Sequence, residues 1–239
     1  MTAIINTNLD ASASLDFALP FADIQYLNFF DGGAGVVGRN LVKGKVAPAV
    51  VGVPVPGAGY MRMKGRVNYV DTRMGDATLI TLISASRAVG VDGTAATRAA
   101  FLSGFEAIGL TTGSTSMYAD ADGAISAATT RNNNGAGTIL PAELAIPAGD
   151  WSFKVLRVTA TQMIFDDITR GRRIVRDLVY PHAVGARSML VGADHAADRR
   201  LGVSDHLFAA VVHRDITDAE MQRVYDMARY RATMRGISL

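Results

Sequence analysis

Aromatic side chains are the residues of this sequence whose chemistry best suits ligand recognition. A sugar stacks its apolar face on an aromatic ring, and planar polar side chains hold its hydroxyl groups. Tyr60, Tyr118 and Trp151 are the candidate contacts for such a glycan. Trp151 is the single tryptophan and follows Gly149-Asp150 at the start of a predicted strand, where packing at the core or at an edge is the more common role. The aromatic residues therefore allow a lectin-like function, which we keep as an alternative to a purely structural role.

Carboxylates, serines and histidines form no recognisable catalytic set. Glycoside hydrolysis needs two carboxyl groups roughly 5 to 10 Å apart across a cleft, and the only glutamates are Glu106, Glu143 and Glu220. The G-x-S-x-G turn of a serine hydrolase is missing. Asp194-His195 and Asp205-His206 are no ready acid–base couples, because adjacent residues on a strand point to opposite faces. We expect no enzymatic activity, with glycoside hydrolysis as a second alternative.

Two motifs resemble ligand loops without completing them. Gly33-Ala-Gly35-Val-Val-Gly38 has the glycine spacing of a dinucleotide-binding loop, but the glycines and prolines that follow prevent the helix that would hold a pyrophosphate. Asp120-Ala-Asp122-Gly123 is a fragment of a calcium loop that lacks the later ligands, so a β-turn is the stronger interpretation. We expect no cofactor, with calcium as a weaker alternative at these or at further aspartates: Asp166, Asp167, Asp194 and Asp198.

Charge and composition exclude several classes of protein. Lysine plus arginine (24) nearly balance aspartate plus glutamate (22), and the densest basic stretches, residues 170–176 and 199–200, are interleaved with aspartates. Such a mixed surface suits contacts between subunits and predicts no nucleic-acid partner. The chain has no cysteine for a disulfide. It also has no apolar run of the roughly 18 residues that a membrane span needs, so we expect no membrane insertion.

The elements that must position these residues are mostly strands. From residue 40 to about residue 212, short runs of β-forming residues are interrupted by Gly, Asn, Asp or Pro at intervals of roughly ten residues, which is typical of an antiparallel sandwich. Asp122-Gly123 and Asn134-Gly135 favour hairpin turns. In the strand predicted after Trp151, Phe153 and Lys154 point to opposite faces. We expect one of these faces to be wholly or partly exposed to water.

One helix is predicted at the end of the sequence, over about residues 217–235. Thr217 and Glu220 have the spacing of a capping box, and apolar residues follow at positions 221, 224, 225 and 228 on one stripe. Gly236 ends this pattern. We expect the apolar stripe to dock on the sandwich.

Residues 1–39 differ from the rest of the chain and are predicted to form a separate N-terminal segment. Their aromatic residues, among them Phe17, Phe21 and Tyr26, are dense for a chain with 7% aromatic residues. The pattern predicts either an arm that lies across its own domain or a neighbouring subunit, with these aromatics as its contacts, or an extra edge strand. The two interpretations are equally compatible with the sequence.

The last part of the sequence resembles a known fold family. Leu207-Phe-Ala-Ala-Val-Val-His-Arg-Asp-Ile-Thr-Asp-Ala-Glu-Met221-Gln-Arg-Val-Tyr225 is similar to the closing strand and helix of concanavalin A-like (laminin G-like) jelly-roll domains, with Ile216 in place of the usual leucine. The resemblance covers roughly residues 40–239. It implies an all-β, concanavalin A-like antiparallel β-sandwich with an N-terminal arm and one C-terminal α-helix, as in domains of bacteriophage virion and tail proteins.

The resemblance implies a function more weakly than it implies a fold. It points to a non-enzymatic structural protein of a bacteriophage-like particle, in the capsid decoration, tail, baseplate or fibre, made in the host cytoplasm and located in the virion. Its partners would be other virion proteins and further copies of the chain, with a trimer as the first expectation. The alternative is a lectin-like receptor-binding module whose partner is a cell-surface glycan. Hydrolases of this fold carry a Glu-x-Asp-x-Glu triplet, which this chain lacks.

Overall fold

Two antiparallel β-sheets lie face to face in this chain, and an α-helix follows them. They are seen in a computed structural model that describes residues 22–94 and 96–239. The predicted all-β sandwich with a C-terminal helix is confirmed. The strands are, in chain order, β1 (Ile24–Phe29), β2 (Ala49–Val51), β3 (Val55–Pro56), β4 (Met61–Lys64), β5 (Tyr69–Gly75), β6 (Ile80–Val89), β7 (Ala100–Ser103), β8 (Ser116–Ala119), β9 (Ala124–Asn133), β10 (Ala136–Pro147), β11 (Ser152–Val158), β12 (Gln162–Asp167), β13 (Arg172–Asp177), β14 (Ser188–Val191) and β15 (Val203–Val212), and the helix is α1 (Asp218–Thr233).

Strand order divides these elements between two sheets. The helix-side sheet has the order β13-β12-β11-β6-β15-β4-β3, and β1 pairs the second half of β15 on the side where β4 pairs its first half. The opposite sheet has the order β10-β9-β8-β7-β14-β5-β2. The described pairings between strands are antiparallel. Neighbours in a sheet are therefore often distant in sequence, which is why side chains from β4, β6 and β15 meet.

The central strands of the helix-side sheet are buried on both faces. One face packs against the opposite sheet in a cluster that includes Leu82, Phe101 and Leu156. The other face packs under α1 in a second cluster that includes Phe153 and Phe208. Every residue of β11 is buried, so the expectation of a water-exposed face on this strand is wrong. The docked helix covers the face that an antiparallel sheet commonly leaves to water.

The helix begins with the predicted capping box. The backbone N–H of Glu220 donates to Thr217 Oγ1 at 3.2 Å, and the backbone N–H of Thr217 donates to Glu220 Oε2 at 2.8 Å. The predicted stripe is buried, with Val224 0% exposed. Among the described residues no helix is long and apolar enough to cross a membrane.

Docking of this helix leads to a first testable expectation. Val224→Ala removes buried methyl groups and should lower the free energy of unfolding by about 1–4 kcal/mol. Thr217→Ala removes the cap and should cost about 1 kcal/mol. Urea denaturation measures both, and Arg223→Ala on the exposed face of α1 is the control. Two neutral substitutions would contradict the docked helix.

The predicted hairpin at Asn134-Gly135 joins β9 and β10. Asn134 has φ of 50° and Gly135 has φ of 92°. Positive φ at both central residues is the type I′ turn, whose twist matches that of the strands it connects. The Asn-Gly pair is therefore the local reason that these two long strands pair in register.

Tyr26 fits the strand alternative for the N-terminal segment rather than the arm that contacts a neighbouring subunit. It lies in β1, which pairs β15 from Ile24 opposite Val212 to Phe29 opposite Phe208. Its side chain is 0% exposed and belongs to the cluster between the sheets. The aromatic density near residue 26 thus reflects burial in the sandwich, and the sandwich includes residues before position 40. Phe17 and Phe21 lie outside the described residues.

Candidate functional site

Two of the three predicted glycan contacts lie side by side. Tyr60 directly precedes β4 and Trp151 directly precedes β11. Their ring centroids are 5.6 Å apart and their planes meet at 61°. Both rings are half-buried and pack against the cluster that α1 covers. The structure thus brings these two residues together beside the helix.

A guanidinium group joins the two rings. Arg87 lies at the end of β6, and its Cζ is 5.1 Å from the centroid of the Trp151 ring and 5.8 Å from that of Tyr60. Cations over aromatic faces at such distances are attracted by the ring quadrupole. The pair of rings and the cation therefore form one composite surface, which we call the aromatic–arginine surface.

Asp205 holds this surface from beneath. It lies on β15 opposite Arg62 of β4 and Arg87 of β6, so the three side chains share one face of the sheet. Arg62 Nε donates to Asp205 Oδ1 at 2.7 Å and Arg87 Nε donates to Asp205 Oδ2 at 3.0 Å. Hydrogen bonding to Asp205 raises the pKa of Arg62. The carboxylate side chain is 0% exposed, whereas the two arginines are 40% and 32% exposed. Both guanidinium groups are therefore partly open to solvent.

A cavity of about 640 Å³ adjoins Arg87 and Trp151. Its wall includes Asp150, Arg170 and the C-terminal residues 236–239. Arg170 is fixed by ion pairs with Asp150 at 3.1 Å and with Asp167 at 3.0 Å. The site therefore combines a ring surface with planar, positioned polar groups, which is the chemistry that holds a polyhydroxylated ligand.

Tyr118, the third predicted glycan contact, lies away from Tyr60 and Trp151. Tyr118 lies on β8 of the opposite sheet. The guanidinium of Arg200 lies 3.7 Å from its ring centroid. Arg200 also pairs with Asp194 at 3.2 Å, and burial raises the pKa of that carboxyl to about 6.

Among the described residues, two histidines lie close to a serine or an acid, and both arrangements are buried. Asp205 and His206 point to opposite faces, as predicted: Asp205 binds the arginines, while His206 is buried and lies 2.8 Å from Ser204 Oγ. Elsewhere, Asp76 Oδ2 accepts from Ser114 Oγ at 2.8 Å and lies 3.1 Å from His182 Nε2. The carboxylate stands between the serine and the histidine, so this histidine is not placed to take the proton of the hydroxyl group.

The two ligand-loop motifs form turns. Asp120 Oδ1 accepts from the backbone N–H groups of Asp122 and Ala124 at 3.0 Å each, and Gly123 has φ of 75°. Residues 34–38 are turns between β1 and β2. Within the part of the chain that the structure describes, no group of three His, Asp or Glu side chains could hold a metal ion.

Sequence reasoning missed the role of Arg62, Arg87 and Asp205. The two arginines are 143 and 118 residues from Asp205. Nothing local marks them, because their proximity follows from the register of β4 and β6 on β15. Only a correct prediction that β4 and β6 pair with β15 would have placed the three residues together.

Comparison with known proteins shows the fold. No protein-family model matches this chain, and no curated protein matches it. The receptor binding domain of botulinum neurotoxin C/D mosaic serotype matches with a TM-score of 0.62 at 7% identity, over 86% of this chain and 51% of that one. The binding domain of Paraclostridial Mosquitocidal Protein 1 matches with a TM-score of 0.63 at 8% identity, over 86% and 52%.

A third structure is the binding domain of botulinum neurotoxin DC in complex with SialylT, with a TM-score of 0.61 at 6% identity over 87% of this chain and 52% of that one. This chain therefore spans about half the length of these structures. At such identities the likeness is one of β-sandwich fold alone.

Proposed function

We propose that this chain is a non-enzymatic binding module that recognises carbohydrate, without a cofactor, through the aromatic–arginine surface. One observation carries the proposal: Trp151 and Tyr60 lie 5.6 Å apart around a cation that a buried carboxylate fixes, beside a cavity of about 640 Å³. Stacking on the rings would hold the apolar face of a sugar. The N–H groups of Arg87 and the carboxylate of Asp150 would hold its hydroxyls.

The similar solved structures support a binding role. They include a receptor binding domain, a binding domain in complex with SialylT and a binding domain in complex with rat synaptotagmin II. Those ligands belong to chains of which this chain covers about half. A concanavalin A-like topology, which the closing strand and helix resemble, would agree with a lectin-like module.

The charges around the surface favour binding over catalysis. Asp205 is neutralised by two arginines and Asp150 pairs with Arg170. Neither carboxylate is a free acid or base facing a sugar, whereas glycoside hydrolysis requires such a pair.

A glycan array probed with the full chain tests the proposal. We expect binding to one class of glycan, and Trp151→Ala should weaken it about tenfold, since loss of a stacking contact of about 1.4 kcal/mol corresponds to that factor. Tyr180→Ala is the matched control, because this half-buried tyrosine lies in the loop beside β9. Circular dichroism checks that both variants fold, and Arg87→Gln serves if Trp151→Ala does not. An array without binding, or equal losses in the variant and the control, would refute the proposal.

A structural role in a bacteriophage-like virion is the second candidate, with other virion proteins and further copies of the chain as partners. One observation favours it: valines around β2 and β3 are exposed, with Val53 81%, Val55 51% and Val67 55% exposed. Exposed apolar residues grouped in this way commonly mark contacts with other proteins. Absence of glycan binding would leave this candidate in place.

A further inference from the structure

A second cavity, of about 430 Å³, opens on the opposite sheet. Tyr118, Thr129 and Thr130 line its sheet side, and the loop at residues 198–200 lines another side. Arg98 and Phe105 also line it. The cavity is independent of the aromatic–arginine surface, which lies on the helix-side sheet.

Arg200 is the most deeply placed cation of this cavity. Its guanidinium lies 3.7 Å from the ring centroid of Tyr118 and 5.3 Å from that of Phe105. Nη1 lies 3.2 Å from Asp194 Oδ2 and donates to Ser103 Oγ at 3.5 Å. A guanidinium has five N–H donors, so these contacts leave donors for the cavity. Arg200 has φ of 51°, a strained conformation for a non-glycine residue that is often found at ligand sites.

Arg98 and Arg199 add positive charge that the protein does not pair. In the described ranges 22–94 and 96–239 neither forms an ion pair, and Arg98 Nε is buried without a hydrogen-bond partner. Thr130 Oγ1, in the same wall, is also buried without a partner. Arginines elsewhere behave differently: Arg157, Arg173 and Arg231, for example, each pair with an aspartate.

The charge balance of the cavity is positive. Its three arginines face two carboxylates: Asp198 in the wall and Asp194 behind Arg200. One net positive charge therefore lies in a partly enclosed space, where it is screened less than on an open surface. An anionic group would balance this charge.

We propose that this cavity binds an oxyanion, that is, a carboxylate, sulfate or phosphate group, either free or carried by an acidic sugar. Guanidinium forks match the paired oxygens of such groups, and charge-assisted hydrogen bonds to them are the strong ones. Arg98 and Arg199 would contact the anion, and Arg200 would supply charge and donors from beneath.

Titration of the full chain, followed by ¹H–¹⁵N NMR at constant ionic strength, tests this site. The probes are D-glucuronate, N-acetylneuraminate, inorganic sulfate and inorganic phosphate, with D-glucose as the neutral control. We expect saturable shifts near Tyr118 with at least one anion and none there with glucose. Arg199→Gln, at an exposed position, should raise Kd about tenfold, the effect of losing one charge-assisted contact. Arg172→Gln, at an exposed position of β13, should leave Kd unchanged.

Each outcome decides the proposal. Tighter binding of the sugar acids would support an acidic glycan as the source of the anion, and equal or tighter binding of sulfate or phosphate would support a free anion. Absence of saturable binding by every probe, or equal weakening by Arg199→Gln and Arg172→Gln, would overturn the site. Such a failure leaves the aromatic–arginine surface untouched, because a neutral glycan at Trp151 does not depend on Arg199.

Discussion

Lys154→Met is expected to raise the free energy of unfolding at pH 7 by on the order of 2–4 kcal/mol. Lys154 is fully buried on β11, and its Nζ lies 4.3 Å from the centroid of the Phe101 ring. Nζ donates to the carbonyl oxygens of Ser86 and Ser152 at 2.6 Å and 3.1 Å and to Ser152 Oγ at 2.8 Å. These bonds satisfy the donors, but the group remains costly to charge away from water. Methionine has a similar length and no charge.

The stabilisation by Lys154→Met depends on pH in a defined direction. Burial lowers the pKa of Lys154 from 10.5 to about 7. Between these values the unfolded chain holds a proton that the folded chain has lost, so stability rises as pH increases through this window. The advantage of the methionine variant should therefore shrink between about pH 7 and 10.5. Urea denaturation across that range measures it, with Lys64→Met at an exposed position of β4 as control. Equal stability of Lys154→Met and the parent at pH 7 would contradict this expectation.

His206→Leu is expected to remove much of the acid sensitivity of the fold. Burial, and secondly the nearby charge of Lys154, lowers the pKa of His206 from 6.5 to about 3. Between these values the unfolded chain binds a proton that the folded chain does not, so stability is lost as pH falls from 6.5 to about 3. The loss is on the order of 4 kcal/mol. His206 Nδ1 is buried without a partner. Leucine therefore removes only the contact of Nε2 with Ser204 Oγ, and that hydroxyl group still donates to the carbonyl oxygen of Ala100 at 3.2 Å.

Urea denaturation at pH 7 and pH 4 measures this effect. The parent should lose several times more stability between these pH values than His206→Leu does, since the variant has no proton to take up at this position. His213→Gln is the control, because His213 is half-exposed and directly follows β15. If the parent and His206→Leu lost the same stability on acidification, His206 would not be the acid-sensitive group.

The sequence predicts much of this fold because the signals are local. Alternating β-formers, the Asn134-Gly135 turn and the Thr217 capping box each act within a few residues, and the structure has all of them. The burial of Lys154 was not predicted. A lysine on a strand indicates a water-facing side, yet α1 and the opposite sheet cover both faces of β11. The burial of Lys154 results from tertiary packing, which no local sequence pattern indicates.

The candidate site was predictable in its residue types and not in its assembly. Tyr60 and Trp151 are marked by aromatic chemistry alone, whereas the separation of Tyr118 from them follows from membership of different sheets. Asp205 joins Arg62 to Arg87 only through the register of three strands. Long-range pairing therefore creates the aromatic–arginine surface, and it was inaccessible to spacing arguments.

Tryptophan fluorescence tests the central claim most directly, because Trp151 is the single tryptophan of the chain. Every change in tryptophan emission during a glycan titration then reports on the aromatic–arginine surface. The account predicts a saturable change in emission with the same Kd that calorimetry gives for the glycan. A neutral glycan that binds by calorimetry and leaves the Trp151 emission unchanged would contradict it.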